Sequence, residues 1–334
     1  MVIKLLILTK SVMIMMISFI LSITFALIII PILKKAKVGQ RLSIYLEKTH
    51  KSKAGTPTMG GLIFITPIIL IFLLLLYLKK IYLTYSLIII IFTFLSYGLL
   101  GFIDDYLIIK RDNNRGLNEA TKLLFQLIIA IVFFYLFMLA GNEPLLWIHS
   151  LNIKLNIKWF YGVFILLVLV ASSNAVNITD GLDGLAGGLA VIAFLAFGII
   201  SWGTGWLDGY EELALFCFAL IGSLLGFLIF NVSPAKVFMG DTGSLALGAT
   251  MGAIAIITRH ELLLIVIGIV FVIETMSCVI QRIYYKFTKK RLFLMTPIHH
   301  TFEKKGWNER DIVKLFWIVG LIGAMIAIIY GVWW

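Results

Sequence analysis

Charge is what this sequence has least of. Asp, Glu, Lys and Arg together supply 13% of its 334 residues, while 61% are hydrophobic and the mean hydropathy is +1.05. Soluble domains carry about 25% charged side chains, so that class is excluded and a polytopic membrane protein is expected. Cysteine is equally sparse. Cys217 and Cys278, each inside an apolar run, exclude a disulfide scaffold and a thiolate metal site. No basic segment interleaved with aromatics is present, which excludes a nucleic-acid partner. Repeats, low-complexity tracts and loops long enough for a separate soluble domain are also missing, so residues 1–334 read as one integral membrane domain. The first apolar run is too long for a secretory h-region and lacks a small-residue cleavage site, and it reads as a retained span.

What is there is apolar sequence, in ten stretches of roughly spanning length: 11–33, 60–78, 84–103, 120–140, 160–175, 184–202, 211–230, 243–258, 262–283 and 312–332. The expected fold is all-α with about ten transmembrane helices. Lys and Arg accumulate in cytoplasmic loops; with the N-terminus outside, most of the 28 basic residues fall on the inner connections, so both termini are expected outside. The net charge of +11 then reflects topology and attraction to an anionic inner leaflet. One outer segment, LNIKLNIKW at 151–159, alternates apolar and polar residues at period two, as half of a small external β-hairpin would.

Polar complexity gathers in the inner connections: KAGTPTMGG (53–61), GFIDDY (101–106), NAVNITDGLDGLAGG (174–188), NVSPAKVFMGDTGS (231–244) and MTPIHHTFEKKGW (295–307). Their common side points to an active site at the cytoplasmic face. Asp104, Asp105, Asp180, Asp183 and Asp241 all stand at helix ends on that side. Carboxylates converging in a partly desolvated site raise one another's pKa, so a positive group is expected among them. Hard oxygen ligands without Cys select Mg²⁺ or Mn²⁺ over zinc. Such a Mg²⁺ completes its shell with water and substrate phosphate, which points to phosphoryl chemistry, with Lys53, His299 and His300 sharing the charge of a pyrophosphate leaving group. Asp180 and Asp183, three residues apart, are expected on one helical face. Each feature has a blander reading: solvated caps for single aspartates, turns for the Asn, Gly and Asp runs, surface residues for the two histidines. Five acids on one face favour the site. His299 and His300, being adjacent, are expected to point different ways, and Glu274, inside the ninth stretch, reads as paired within the bundle.

Taken in order from about residue 53 to 307, GTPTMGG, GFIDDY, NITDGLDGLAGG, VFMGDTGSLALG and TPIHHTFEKKGW resemble the phospho-N-acetylmuramoyl-pentapeptide transferases, of the polyprenyl-phosphate N-acetylhexosamine-1-phosphate transferase superfamily. The resemblance implies a multi-pass enzyme of the bacterial cytoplasmic membrane. It would move phospho-MurNAc-pentapeptide from UDP-MurNAc-pentapeptide to undecaprenyl phosphate, giving lipid I and UMP, with Mg²⁺ required, in the first membrane step of peptidoglycan synthesis. By motif, Asp241 matches the Mg²⁺-binding aspartate, and Asp104 with Asp105 the pair implicated in activating the lipid phosphate. Lys53 matches an essential lysine. Asn177, Asp180, Asp183, Asn231 and Phe238 match nucleotide-site positions, with Phe238 placed to stack on uracil. His299, with a catalytic role, and His300, with a substrate-binding one, match the first two of three consecutive histidines; the third is Thr301 in this chain. A homodimer is a further family expectation.

Two schemes are open to such a site: direct attack by the lipid phosphate on the donor, which is favoured because that phosphate is already largely dianionic, or prior attack by a carboxylate. The nearer alternative function is transfer of GlcNAc-1-phosphate to the same lipid, against which GTPTMGG and TPIHHTFE favour the muramoyl-pentapeptide branch. A transporter is disfavoured, because the acids gather at one face rather than at the midplane and no inverted repeat is present.

Overall fold

The computed structural model describes residues 2–36, 53, 55–111, 116–148, 153–205 and 207–333, without the side chains of 2–7 and 333. In lipid every backbone N–H and C=O must be satisfied within the segment, and the apolar runs accordingly form helices. In chain order the elements are α1 (Val2–Lys35), α2 (Leu62–Tyr77), α3 (Tyr85–Arg111), α4 (Glu119–Leu139), β1 (Leu145–Ile148), β2 (Ile153–Asn156), α5 (Phe160–Thr179), α6 (Leu185–Gly203), α7 (Tyr210–Asn231), α8 (Gly240–Ile257), α9 (Leu263–Ile267), α10 (Ile269–Thr288), α11 (Ile298–Lys304) and α12 (Glu309–Trp333).

All ten apolar stretches are helical, and 8 helices among the described residues are long and apolar enough to cross a membrane. Two stretches fall short of that measure. Helix α2 has 16 residues, about 24 Å at 1.5 Å per residue, against a hydrocarbon core of about 30 Å. The stretch 262–283, expected as one helix, breaks at Gly268, which closes α9 and opens α10. Helix α10 then carries Glu274, Gln281, Arg282 and Lys286, which lower its apolarity.

Helix α8 is the centre of the bundle, with every residue from Thr242 to Ile257 buried. It packs against α3 and α5, while α7 lies between α1 and α6, and α12 covers α6. Small residues along α8, among them Ala246, Gly248, Ala249 and Gly252, let its neighbours approach closely.

The hairpin is present as an antiparallel β1–β2 pair with Leu145 opposite Asn156 and Ile148 opposite Ile153. Its second strand is shorter than the alternating segment: Leu151 and Asn152 lie outside the described residues, and Trp159 already caps α5. Arg259, in the turn after α8, donates to the carbonyls of Leu145 at 2.9 Å and Glu143 at 2.7 Å, fastening the hairpin to the bundle.

Two expectations near the motifs need correction. The third apolar stretch ends at 103, but α3 continues to Arg111, so Asp104 and Asp105 lie inside a helix. Asp180 and Asp183 do not share a helical face. Helix α5 ends at Thr179, Asp180 is its C-cap, and Asp183 sits in the turn that leads to α6 through Gly184 at φ +80°, a conformation that favours glycine.

Candidate active site

The site is built on a close crossing of α3 and the start of α8. At Gly101 a Cβ would lie 2.1 Å from the Asp241 carbonyl oxygen and 2.6 Å from the Thr242 nitrogen, so only glycine fits there. One helical turn on, this approach delivers Asp105 to the N-terminus of α8, whose first N–H groups have no partner within their own helix. Asp105 Oδ1 accepts the Asp241 N–H at 3.2 Å, and Oδ2 accepts the Thr242 N–H at 2.9 Å and the Thr242 hydroxyl at 2.6 Å. A carboxylate from a different helix thus acts as the cap, favoured also by the helix dipole.

The GTPTMGG segment closes the other side of the same helix start. The Phe238 N–H donates to the Pro57 carbonyl at 2.8 Å, the Gly60 N–H to Phe238 at 2.8 Å and the Gly61 N–H to Met239 at 2.9 Å. These bonds hold Asp241 in the first turn of α8 with its carboxylate turned to the site. Its Oδ1 accepts from Asn177 Nδ2 at 2.7 Å and its Oδ2 from Lys122 Nζ at 2.6 Å. Lys122 also stands 3.7 Å from Asp104 Oδ2, so one ammonium borders both carboxylates. The other oxygen of Asp104 accepts the Leu117 N–H at 2.6 Å.

A second cluster forms around Lys53, whose Nζ lies 2.7 Å from Asp183 Oδ1 and 2.6 Å from Glu309 Oε1. Glu309 Oε1 also accepts the Asp183 N–H at 2.7 Å, and Asp183 Oδ2 accepts the Ala235 N–H at 3.0 Å. Burial alone pushes the Lys53 ammonium down, but the adjoining carboxylates of Glu309 and Asp183 outweigh it and hold its pKa above the ordinary value. Asp180 stands between the two clusters. Burial first, then the charges of Asp241, Asp105 and Asp183, push its pKa up to about 7, against the opposing pull of Lys53.

The two histidine rings, expected to point different ways, instead stand in T-shaped contact with centroids 4.1 Å apart, each beside its own carboxylate. His299, fully buried, has Nδ1 at 3.1 Å from Glu274 Oε2, and the backbone of Gly181 is so near its Nε2 that a Cβ there would lie 2.5 Å away. His300 Nδ1 lies 2.5 Å from Glu303 Oε2. Glu274 is therefore paired within the bundle, and its partner is a motif histidine. Thr301 is turned away from both clusters: its hydroxyl donates to the Met295 carbonyl at 2.6 Å and accepts the Met295 N–H at 3.3 Å. Asn231 is buried, with Nδ2 donating to the Val237 carbonyl at 3.0 Å, while its Oδ1 has no hydrogen-bond partner among the described residues. Phe238 next to that carbonyl is half-buried.

Nine of the eleven motif residues thus gather in two clusters joined through Asp180 and flanked by the histidines, while Asn231 and Phe238 belong to the end of α7 and the connection to α8. Lys122 and Glu309 complete the clusters. In the sequence Lys122 is one of the basic residues of the inner connections, and neither it nor Glu309 lies within a motif. Asp104 and Asp241 adjoin with a cationic Nζ beside both, no thiol is near, and among the described residues no three His, Cys, Asp or Glu converge on a metal-sized space. Asp104 and Asp241 are the residues that could hold a hard cation such as Mg²⁺, which would have to complete its shell with water and phosphate oxygens.

Comparison with known proteins identifies the family. A family model described as glycosyl transferase family 4 matches residues 87–259, and a phospho-N-acetylmuramoyl-pentapeptide-transferase signature matches 53–65. The chain is 45% identical over 319 residues to the phospho-N-acetylmuramoyl-pentapeptide-transferase of Geobacillus thermodenitrificans, covering 96% of this chain and 97% of that one. It is 45% identical over 312 residues to that of Oceanobacillus iheyensis (93% and 95%) and 46% identical over 313 residues to that of Listeria monocytogenes (93% and 95%). The chain belongs to the phospho-N-acetylmuramoyl-pentapeptide transferase family.

Proposed function

We infer that this protein transfers phospho-MurNAc-pentapeptide from UDP-MurNAc-pentapeptide to undecaprenyl phosphate, yielding lipid I and UMP. The observation that carries this reading is the pair of adjoining carboxylates, Asp104 and Asp241, with Lys122 beside both, fixed at the start of α8 by Asp105. In the proposed reaction an oxygen of the lipid phosphate attacks the donor phosphorus that bears the sugar. The bond from that phosphorus to the bridging oxygen breaks, and UMP leaves with the bond's electron pair. A Mg²⁺ held by Asp241, with Asp104 beside it, would supply charge stabilisation on the phosphate oxygens.

The chain's own residues divide the remaining work. Asp105 is committed by three hydrogen bonds to the α8 backbone and the Thr242 hydroxyl, which suits it to positioning. Asp104, with one oxygen toward Lys122, is the better candidate to accept a proton from a monoanionic lipid phosphate, whose second pKa is about 6. The buried Oδ1 of Asn231, lacking a partner among the described residues, offers an acceptor to a base N–H, and the adjacent Phe238 a ring on which uracil can stack. His299 and His300 flank the Asp180 turn, where donor phosphate charge is expected.

The membrane arrangement follows from the same reading: ten spans with both termini outside and the site at the cytoplasmic face, because the basic residues concentrate on the connections that carry the motifs. The sister activity, transfer of GlcNAc-1-phosphate, is not favoured, since the 53–65 signature is that of the muramoyl-pentapeptide branch. The test is UMP release by the purified protein in detergent with undecaprenyl phosphate and Mg²⁺. Release from UDP-MurNAc-pentapeptide and not from UDP-GlcNAc is expected; release from UDP-GlcNAc alone would overturn the assignment.

A further inference from the structure

Glu309 opens α12, two residues beyond the last motif, and one of its oxygens has two partners. Oε1 accepts from Lys53 Nζ at 2.6 Å and from the Asp183 N–H at 2.7 Å. Lys53 in turn touches Asp183 Oδ1 at 2.7 Å. Three pieces of chain, from the GTPTMGG segment, the α5–α6 turn and the start of α12, are closed into a ring of charge-assisted contacts.

The members of the ring are not equally constrained. The Asp183 side chain is 3% exposed and is also held by the Ala235 N–H, whereas the Glu309 side chain is 19% exposed and is held on one oxygen alone, by the two other members of the ring. Lys53 carries its charge on a long, flexible stem. Its ammonium donates to Glu309 and stands in ion-pair contact with Asp183, and an ammonium has three N–H groups, enough to serve an anionic ligand as well. Glu309 thus links the Lys53 ammonium to the backbone of the Asp183 turn.

We propose that Glu309 is a positioning residue for donor binding, holding Lys53 against the Asp183 turn so that its ammonium meets the diphosphate of a nucleoside-diphosphate sugar. The proposal rests on the function inferred above. A role confined to helix α12, as an acid at a helix N-terminus, would act independently of Lys53. That difference makes the two separable.

The experiment is a double-mutant cycle on the full-length protein in detergent, reading the Kd of UDP-MurNAc-pentapeptide by calorimetry without lipid acceptor. Glu309→Gln keeps an acceptor for the Asp183 N–H but removes the charge that aligns Lys53. Its Kd is expected to rise about tenfold or more, the loss typical of a charge-assisted contact. In a Lys53→Gln background the same change is expected to alter Kd less than twofold, because neighbouring residues that act through one another are not additive. An unchanged or lowered Kd in Glu309→Gln, or equal penalties in both backgrounds, would overturn the proposal. If Glu309→Gln does not give a monodisperse protein, the cycle is run with Glu309→Asp, which draws the carboxylate back and carries the same expectations. Wild-type UMP release, measured on the same preparation, tests the underlying function: its absence would refute that reading, while its presence with an additive cycle would refute this inference alone.

Discussion

Replacing Gly101 with alanine adds one methyl group at the point where α3 crosses α8. Ordinary van der Waals contact begins at 3.4 Å, and the new Cβ would stand 2.1 Å from the Asp241 carbonyl oxygen, so the two backbones must part by about 1.3 Å. The obstructing atoms are backbone atoms of a fully enclosed helix and have no rotamer in which to yield. Asp105 bonds the same helix start at 2.6 to 3.2 Å, and a displacement of that size takes those contacts beyond hydrogen-bonding range. Overpacking of this kind costs about 1–3 kcal/mol of stability, and displacing a catalytic group by 1 Å costs on the order of a hundredfold in rate. Gly101→Ala is therefore expected to fold, to melt a few degrees lower and to release UMP about a hundredfold more slowly. Gly205→Ala, where a Cβ meets nothing within 4 Å, is the matched control and is expected to behave as wild type. A Gly101→Ala enzyme with wild-type kcat would refute the claim that this crossing sets the geometry of Asp105 and Asp241.

Asp241→Asn is expected to abolish Mg²⁺-dependent UMP release while leaving the melting profile near wild type; near-normal turnover would refute the proposed role of Asp241 in holding Mg²⁺. Phe238→Ala is expected to weaken UDP-donor binding by roughly 1–3 kcal/mol if its ring stacks on the base, and an unchanged donor Kd would show that it does not. Thr301→Val, which breaks the hydroxyl contacts with Met295, is expected to cost about 1 kcal/mol in stability and to leave the preference between the two UDP-sugars intact, as read from melting and from paired UMP assays. Asp180 binds its proton more tightly in the folded protein, with its pKa raised to about 7 from 3.8, so its contribution to stability is present at low pH and lost as pH rises from about 4 to about 7. Asp180→Asn is expected to flatten that part of the stability profile, and an unaltered slope in denaturation across this range would contradict the environment described for Asp180.

The helices were legible because lipid leaves an apolar run one way to satisfy its backbone. Gly268 escaped notice for the same reason: apolarity continues through it, and only the local backbone shows that α9 and α10 are separate. The motif residues were legible as a group, since five polar connections on one side of a bundle have few other uses. Their individual roles were less so. Asp104 and Asp105 are neighbours in sequence, yet one caps a distant helix and the other faces Lys122, a distinction created wholly by tertiary contact. Lys122 and Glu309 acquire meaning only from partners 119 and 256 residues away. Thr301, a departure from the family pattern, proves to be bonded to Met295 rather than turned to the site.

The cap that Asp105 places on α8 also bears on how the protein is made. Its backbone partners arrive 136 and 137 residues later in the chain. During synthesis the third helix enters the bilayer with its paired acids while the helix that will receive them has not yet left the ribosome. Acids held at membrane depth without partners are costly, so the nascent chain must keep Asp104 and Asp105 at the lipid surface until α8 is threaded between α3 and α5. Assembly of the active site is then the same event as insertion of α8, and ribosomes arrested before residue 240 would carry a bundle in which those acids still face water.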